Sequence, residues 1–485
     1  MDKLLGFAPD VDPTTPGIWT ECRNIIPFEA GFMGAPTGAA TTAPALAAAC
    51  RGAGVMQRLD DTRRIFAGTQ TKLYELTGSV WTDRSAGGGS YTGSVDSRWS
   101  LCQFGDTSIA SNLVDAMQAS TTGVFSAIAG APKAKIVVSA TNNFVIAFNT
   151  NDGTYGVSPD RWWCCAQSNQ TDWVPSVATG ATTGRIIATP GSITAALPLG
   201  DYVVAYKLRG VYLGSFVGSP VQWQWPLVPA SSDCGAVGQD AVCDMGGVHF
   251  IVGDEDFWLF DGTRPVSIGD EVRNWFKSNS SEVYRYRTKC TFDRARNVVW
   301  VHFASKGSTG VLDSTLVYHT RAKRWGCADV VMEAALNYIA PGTVIDGLDA
   351  YASTIDALPA VPFDSAYWQS GGRAFAYFDA SHRLVVNNGV CGPSSFVTGD
   401  FGDDDTVTDL ERFKVRFTQA PSTAQATGLW KMDEGGTFTN GPTEQRYDAR
   451  FDVRQSGYWH RLAVSMTGDH KENAQQAVLN PQGGR

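Results

Sequence analysis

From residue 61 onward the chain repeats one local pattern: an apolar strand, a turn built on Gly, Asn or Asp, and a second strand carrying aromatic residues. The pattern is first complete in RIFAGTQTKLYELTGSVWTD, where Phe66, Gly68 and Thr69 end one strand, Leu73, Tyr74 and Leu76 form the next, and Trp81 follows. Similar units stand at WSLCQFGDTSIAS (Phe104, Asp106), KIVVSATNNFVIAFN (Asn142, Asn143), DYVVAYKLRGVYLGSF (Arg209, Gly210) and VHFIVGDEDFWLFDG (Asp254 to Asp256). The last is NVVWVHFASKGSTGVLDSTLVYHTRAKRWG, whose second strand runs from Thr315 to His319 before Trp325. One such unit cannot bury both faces alone, so a series of them must stack unit on unit. Six units spaced by roughly 35–65 residues, against ~40–50 for regular four-stranded blades, predict a six-bladed β-propeller over 61–335. Sequence identity between blades is not needed, because each blade requires only hairpins whose alternate side chains pack on the next. With 51 Gly, 15 Trp, 15 Tyr and 24 Phe, and only 18% charged residues, the composition suits many short strands and tight turns, an all-β class.

Outside the repeat three further regions are predicted. Residues 1–60 carry many breakers (Pro13, Pro16, Gly17, Pro27, Gly31, Gly34, Pro36, Gly38) and little periodicity, which predicts an extended N-terminal arm. Ile25, Ile26, Phe28, Phe32 and Met33 make it too apolar for a solvated tail, so it should lie along its own domain or a neighbouring subunit. Residues 336–399, rich in Ala, Pro and Asp before FAYFDASHRLVVNNG, read as linker and additional strands. Beyond the Asp-rich GDFGDDDTVTD, residues 400–485 read as an antiparallel β region serving as a platform for docking. There Phe413, Val415 and Phe417 alternate with Arg412, Lys414 and Arg416. Tyr447, Ala449, Phe451 and Val453 alternate with Arg and Asp, and after a turn at 455–457 come Leu462, Val464 and Met466, which predicts a hairpin with one buried and one charged face.

Chemistry leaves few traces. A net charge of −9 is the wrong sign for gripping nucleic acid, where Lys and Arg displace counterions from phosphates, although a mildly acidic wall would suit a channel through which DNA slides. The opening MDKLLGFAPDVDP has too short an apolar run for a signal peptide, and no stretch reaches a membrane span, so no membrane insertion is expected. Ten scattered cysteines without CxxC spacing, including the adjacent Cys164 and Cys165, predict buried thiols and no zinc site. No GxSxG, phosphate-loop, HExxH or GxGxxG pattern is present, and the expectation is of no enzyme, no catalytic residues, no cofactor and no metal. His249, His302, His319, His382, His460 and His470 are dispersed and read as packing or surface residues. The carboxylates Asp254, Glu255 and Asp256, and Asp400, Asp403, Asp404 and Asp405, read as solvated turns before Ca²⁺ loops. A propeller glycosidase would need acids such as Asp254, Asp293 and Asp313 to converge, and an adhesin would need an exposed aromatic patch, for which Trp162, Trp163, Trp223 and Trp225 are the candidates.

The whole chain resembles the nozzle or hub proteins of podovirus tails, the tubular tail protein B or packaged-DNA stabilisation family. The likeness is carried by PTTPGIWTECRNIIPFEAGF with its Asn24 to Pro27 segment, FAGTQTKLYEL followed by Trp81, ITAALPLGDYVVAYKLRGVY and FDVRQSGYWHRLAVSMTGD. The resemblance implies a virion structural protein of a short-tailed bacteriophage, a homo-hexamer ringed below the portal and head-to-tail adaptor. Such a nozzle retains packaged genomic DNA, conducts it without sequence specificity during ejection, and docks tail fibres or spikes on its outside. It would be assembled in the host cytoplasm. The alternatives are a propeller adhesin or carbohydrate-binding module, then a carbohydrate-active propeller enzyme.

Overall fold

The computed structural model describes residues 2–341, 354, 356, 370–433 and 435–482. Its organisation follows from how a blade buries its strands. In Lys133–Ala140 and Phe144–Asp152 nearly every side chain is buried, yet the two faces go to different neighbours. Ile136, Val138, Phe144, Ile146 and Phe148 pack with Ile193, Val203, Ala205 and Tyr212 of the next blade. Val137, Val145, Ala147 and Trp163 pack instead with Cys102, Ile109 and Met117 of the preceding one. Period-two alternation thus serves two interfaces at once, which is why these strands read as continuous apolar runs. The hairpin between them turns on Asn143 at φ 61°, a left-handed conformation that asparagine tolerates.

The six blades expected from the repeat form as contiguous four-stranded antiparallel meanders in a ring, spanning 52–83, 100–127, 133–185, 193–224, 242–267 and 289–328. Between the sixth and the first stands a composite sheet: Ala334–Pro341, Ser370–Phe378 and Leu384–Cys391, with Pro36–Ala40 from the N-terminal segment as its outer strand. The inner strands touch in ring order, and Ala334–Pro341 contacts both Lys289–Asp293 and Gly52–Gln57, closing the circle. Trp300 stacks on Phe375 at 5.1 Å on one side of the composite sheet, and Ile65 and Ala67 pack on Leu336 and Phe378 on the other.

Two boundaries differ from expectation. The first sixty residues lie along their own domain, but as paired strands rather than an extended arm: they supply the first inner strand, Gly52–Gln57, the closing strand Pro36–Ala40, and five strands of the C-terminal region. The additional strands expected in 336–399 are integral to the fold: Ala334–Pro341, Ser370–Phe378 and Leu384–Cys391 form the composite sheet, and Ser394–Thr398 joins the C-terminal region. The repeat is invisible here because one of the four strands comes from the far end of the chain. The Ala/Pro/Asp-rich stretch 342–369 lies outside the described residues apart from 354 and 356.

The C-terminal region is a β-sandwich. One sheet carries Thr408–Gln419, Lys471–Pro481, Gly31–Gly34 and Ile25–Phe28, and continues into blade 6 through the pairing of Ile25 with Cys327. The other carries Ile18–Arg23, Ser394–Thr398, Trp459–Thr467, Thr423–Lys431 and Thr439–Gln445. Leu410, Phe413, Val415, Phe451, Leu462, Val464 and Met466 fill the space between, with Trp19 stacked on Phe396 at 4.5 Å and against Phe32 at 4.5 Å. The expected hairpin of 446–454 with 459–466 does not form. Arg450–Phe451 pairs with Phe413 and Lys414, whereas Trp459–Thr467 pairs with Thr423–Lys431 in the opposite sheet. Alternation identified Phe451, Val453, Leu462, Val464 and Met466 as buried, but Tyr447 and Ala449, expected on the same face, are exposed at a turn, and the hydrogen-bonding partner was not identified.

Glu472 lies in the seam between sandwich and propeller, fully buried, with no protein donor to either carboxylate oxygen among the described residues. Burial pushes its carboxyl up to about 8 from 4.5. The folded state therefore keeps a proton that the unfolded chain releases, so stability is full below about pH 4.5 and is lost as pH rises through about 8. Urea denaturation across this window should show Glu472→Gln losing stability less steeply than the parent, by up to about 1.4 kcal/mol per pH unit, the remaining slope coming from groups such as Glu271, which burial raises to about 7. Separately, Trp19→Ala should cost about 3–5 kcal/mol in the same assay, because it empties the centre of the sandwich.

Candidate functional site

The residues singled out by chemistry are dispersed and locally engaged. Asp254 pairs with Arg285 at 3.2 Å, Glu255 with Lys277 at 2.6 Å, and Asp256 with Arg273 at 3.3 Å while accepting from Ser267 Oγ at 2.6 Å. Asp400 pairs with Arg461, Asp403 accepts from the amides of Asp405 and Thr406, and Asp404 accepts from the Trp459 indole. Among the described residues no three His, Cys, Asp or Glu side chains gather as a metal site. Asp293 holds Arg296 at 2.8 Å at the far end of its strand, and Asp313 accepts from Ser305, so these acids do not converge with Asp254. The aromatic candidates are not an exposed patch. Trp162, Trp163 and Trp223 are buried and Trp225 half-buried, with Trp162 and Trp223 at 5.5 and 6.0 Å from Trp225 in the interface of blades 3 and 4.

The histidines are equally committed. His249 meets the Tyr206 hydroxyl at 2.6 Å and the Pro198 carbonyl at 3.0 Å, and burial lowers its pKa. His302 meets Thr315 at 2.8 Å beneath Trp300 and Phe375, and burial pushes it down to about 3. His319 accepts from the Ala322 amide, His460 sits between Thr408 and Gln455, and His470 meets the Gly468 carbonyl.

Charge concentrates instead at one mouth of the propeller axis, where the inner strands of blades 1, 2, 3, 5 and 6 and of the composite sheet begin. Two adjoining cavities of about 330 and 410 Å³ share Arg98 and Arg287 as walls. The first also receives Asp96, Lys135 and Asp240, the second Arg51 and Glu333. Each carboxylate already has a cation or donor: Asp96 takes Arg287 and the Tyr286 hydroxyl, Asp240 takes Lys289 at 3.6 Å, and Glu333 takes His382 at 2.7 Å and the Cys50 amide. Arg51 and Lys135 meet no acceptor among the described residues, and Arg98 donates only to the Val95 and Ser97 carbonyls. Burial, then the neighbouring Arg51, lowers the pKa of Arg98, with Asp240 opposing; burial likewise lowers Lys135, again against Asp240. This axial mouth is basic in a chain whose net charge is −9. The sequence carried a signal, missed above: Arg51, Arg98, Asp240, Lys289 and Glu333 all stand at or just before the start of an inner strand, a register visible only once the blades are aligned.

These features define a β-propeller protein with a β-sandwich built onto one blade. No family model and no curated protein matches the chain. Among solved structures, PorZ, a surface component of the type-IX secretion system of Porphyromonas gingivalis, is similar at 8% identity and TM-score 0.37, over 85% of this chain and 53% of that one. The chain thus spans about half of PorZ's length. YCF48 from Cyanidioschyzon merolae is similar at 11% identity and TM-score 0.37 (73% and 97% covered), and the Neurospora crassa Pan2 WD40 domain at 8% and 0.38 (74% and 95% covered).

Nine of the ten cysteines are buried, and burial raises the Cys102, Cys164 and Cys234 thiols to about 12. Because the thiolate is the reactive form, a chromogenic disulfide titration of the native protein should find at most one fast thiol, at half-buried Cys22, with all ten appearing in denaturant.

Proposed function

We propose that this chain is a structural subunit of a short-tailed bacteriophage tail, forming a hexameric nozzle or hub below the portal and adaptor. It retains packaged DNA, conducts it during ejection without reading its sequence, and offers docking surface for fibres or spikes. The observation that supports this reading is the unbroken sheet running from blade 6 through Ile25–Phe28 and Gly31–Gly34 into the sandwich. Propeller and sandwich share backbone hydrogen bonds and a dry seam, so load passes between them without a hinge. Opening of such a ring then proceeds by rigid movement of subunits against each other. The outer face of the sandwich adds a patch of hydroxyl and amide side chains, with Thr423 bonded to Thr467, Thr427 to Thr443, and Gln445 to Gln425. A flat hydrogen-bonding face of this kind suits a neighbouring tail component. The burial of Trp162, Trp163 and Trp223 weighs against an adhesin, and the separation of Asp254, Asp293 and Asp313 weighs against a glycosidase.

The test is electron microscopy and peptide mass spectrometry of tails extracted from particles released by the host that carries the coding sequence. The expected result is a six-fold ring containing this chain at the distal end of a portal and adaptor stack. Absence from particles, or a peripheral place on fibres, overturns the assignment.

A further inference from the structure

We propose that the mouth of the propeller axis binds a small phosphate-type polyanion, held by Arg51, Arg98 and Lys135 with Arg287 on the shared wall of the two cavities. This goes beyond the tail assignment and does not depend on it. Five cations, Arg51, Arg98, Lys135, Arg287 and Lys289, gather around three carboxylates: Asp96 is taken by Arg287, Asp240 by Lys289 and Glu333 by His382. Arg51, Arg98 and Lys135 are left without a carboxylate in contact, half-buried, in a chain whose net charge is −9. Assembling like charges on a partly desolvated wall costs free energy that random surface placement would avoid. A multivalent oxyanion converts that repulsion into attraction. The buried Arg51 Nε has no acceptor among the described residues. Guanidinium groups present paired N–H donors that match phosphate oxygens, and a lysine adds a point charge. The 330 Å³ cavity falls within the ~300–1,000 Å³ range of ligand pockets. That room suits a di- or triphosphate moiety and excludes a double helix.

The site differs from a general basic surface in its dependence on position. Asp240 faces Lys135 and Lys289 from the same wall, so its removal should strengthen anion binding, whereas removal of a distant acid should not.

The experiment is isothermal titration of the full chain with inorganic triphosphate at two salt concentrations, alongside a mixed-sequence DNA duplex and free phosphate. The expected result is one triphosphate per chain, at least tenfold weaker in Lys135→Met and in Arg98→Met, and tighter in Asp240→Asn. The duplex should compete poorly, and free phosphate should bind more weakly than triphosphate. Circular dichroism and melting of each variant establish folding, and Lys135→Met keeps the test decisive if Arg98→Met does not fold. No heat from triphosphate with the folded parent, affinity unchanged in Lys135→Met, or equal binding of duplex DNA would each overturn the proposal.

Discussion

The structure depends on one strand pairing across more than two thirds of the chain: Pro36–Ala40 along Leu384–Cys391. A ring of blades has no independent end blade, since each face must be covered by a neighbour, and an unclosed ring would leave two apolar faces and two strand edges in water. By taking its fourth strand from near the start of the chain, the composite sheet joins early and late sequence at the place where the ring would otherwise open. Gly38 makes the approach possible, for a side chain there would meet the Tyr377 hydroxyl at 2.5 Å and Val385 at 2.7 Å.

The same N-terminal segment also ties the sandwich to the propeller. Ile25–Phe28 continues the hydrogen-bonding ladder of blade 6, and Gly31–Gly34 passes it on to Lys471–Pro481. The contact is close enough that a Cβ at Gly31 would stand 2.0 Å from the Glu472 carbonyl oxygen. Beside it the protonated Glu472 and the buried Gln475, which accepts from the Trp19 indole at 3.2 Å, are polar groups in a dry seam. Their burial costs free energy at a junction where apolar residues would pack more cheaply. What the arrangement yields is one hydrogen-bonded sheet shared by the propeller and the sandwich.

Charge is distributed with comparable economy. Within blade 1 Glu75 is held by Arg64 at 2.6 Å and Arg84 at 2.7 Å; burial alone would raise its pKa, but these two guanidiniums more than offset it and keep the carboxylate ionised. Around the axis, by contrast, Arg51, Arg98 and Lys135 have no carboxylate in contact among the described residues. Cations held by a shared carboxylate in blade 1 and cations left without one at the axial mouth mark the second as a place for an external anion.

What the sequence by itself determined was the all-β class and the blades cut from contiguous chain, because hairpins are local: Asn143 turns between strands that pair with each other, and Phe413 and Val415 alternate with charged neighbours as a one-sided strand must. It also showed that Phe451, Leu462, Val464 and Met466 are buried. Only the tertiary structure decided which strands those residues lie beside, since period two specifies a face and not a partner. The composite sheet was illegible for the same reason, its strands being separated by most of the chain, as was the role of residues 1–60, whose prolines and glycines mask strands that pair only at long range. The basic mouth was least visible of all: Arg51, Arg98 and Lys135 are unremarkable in sequence and become a cluster only when the ring brings the starts of their strands to one axis.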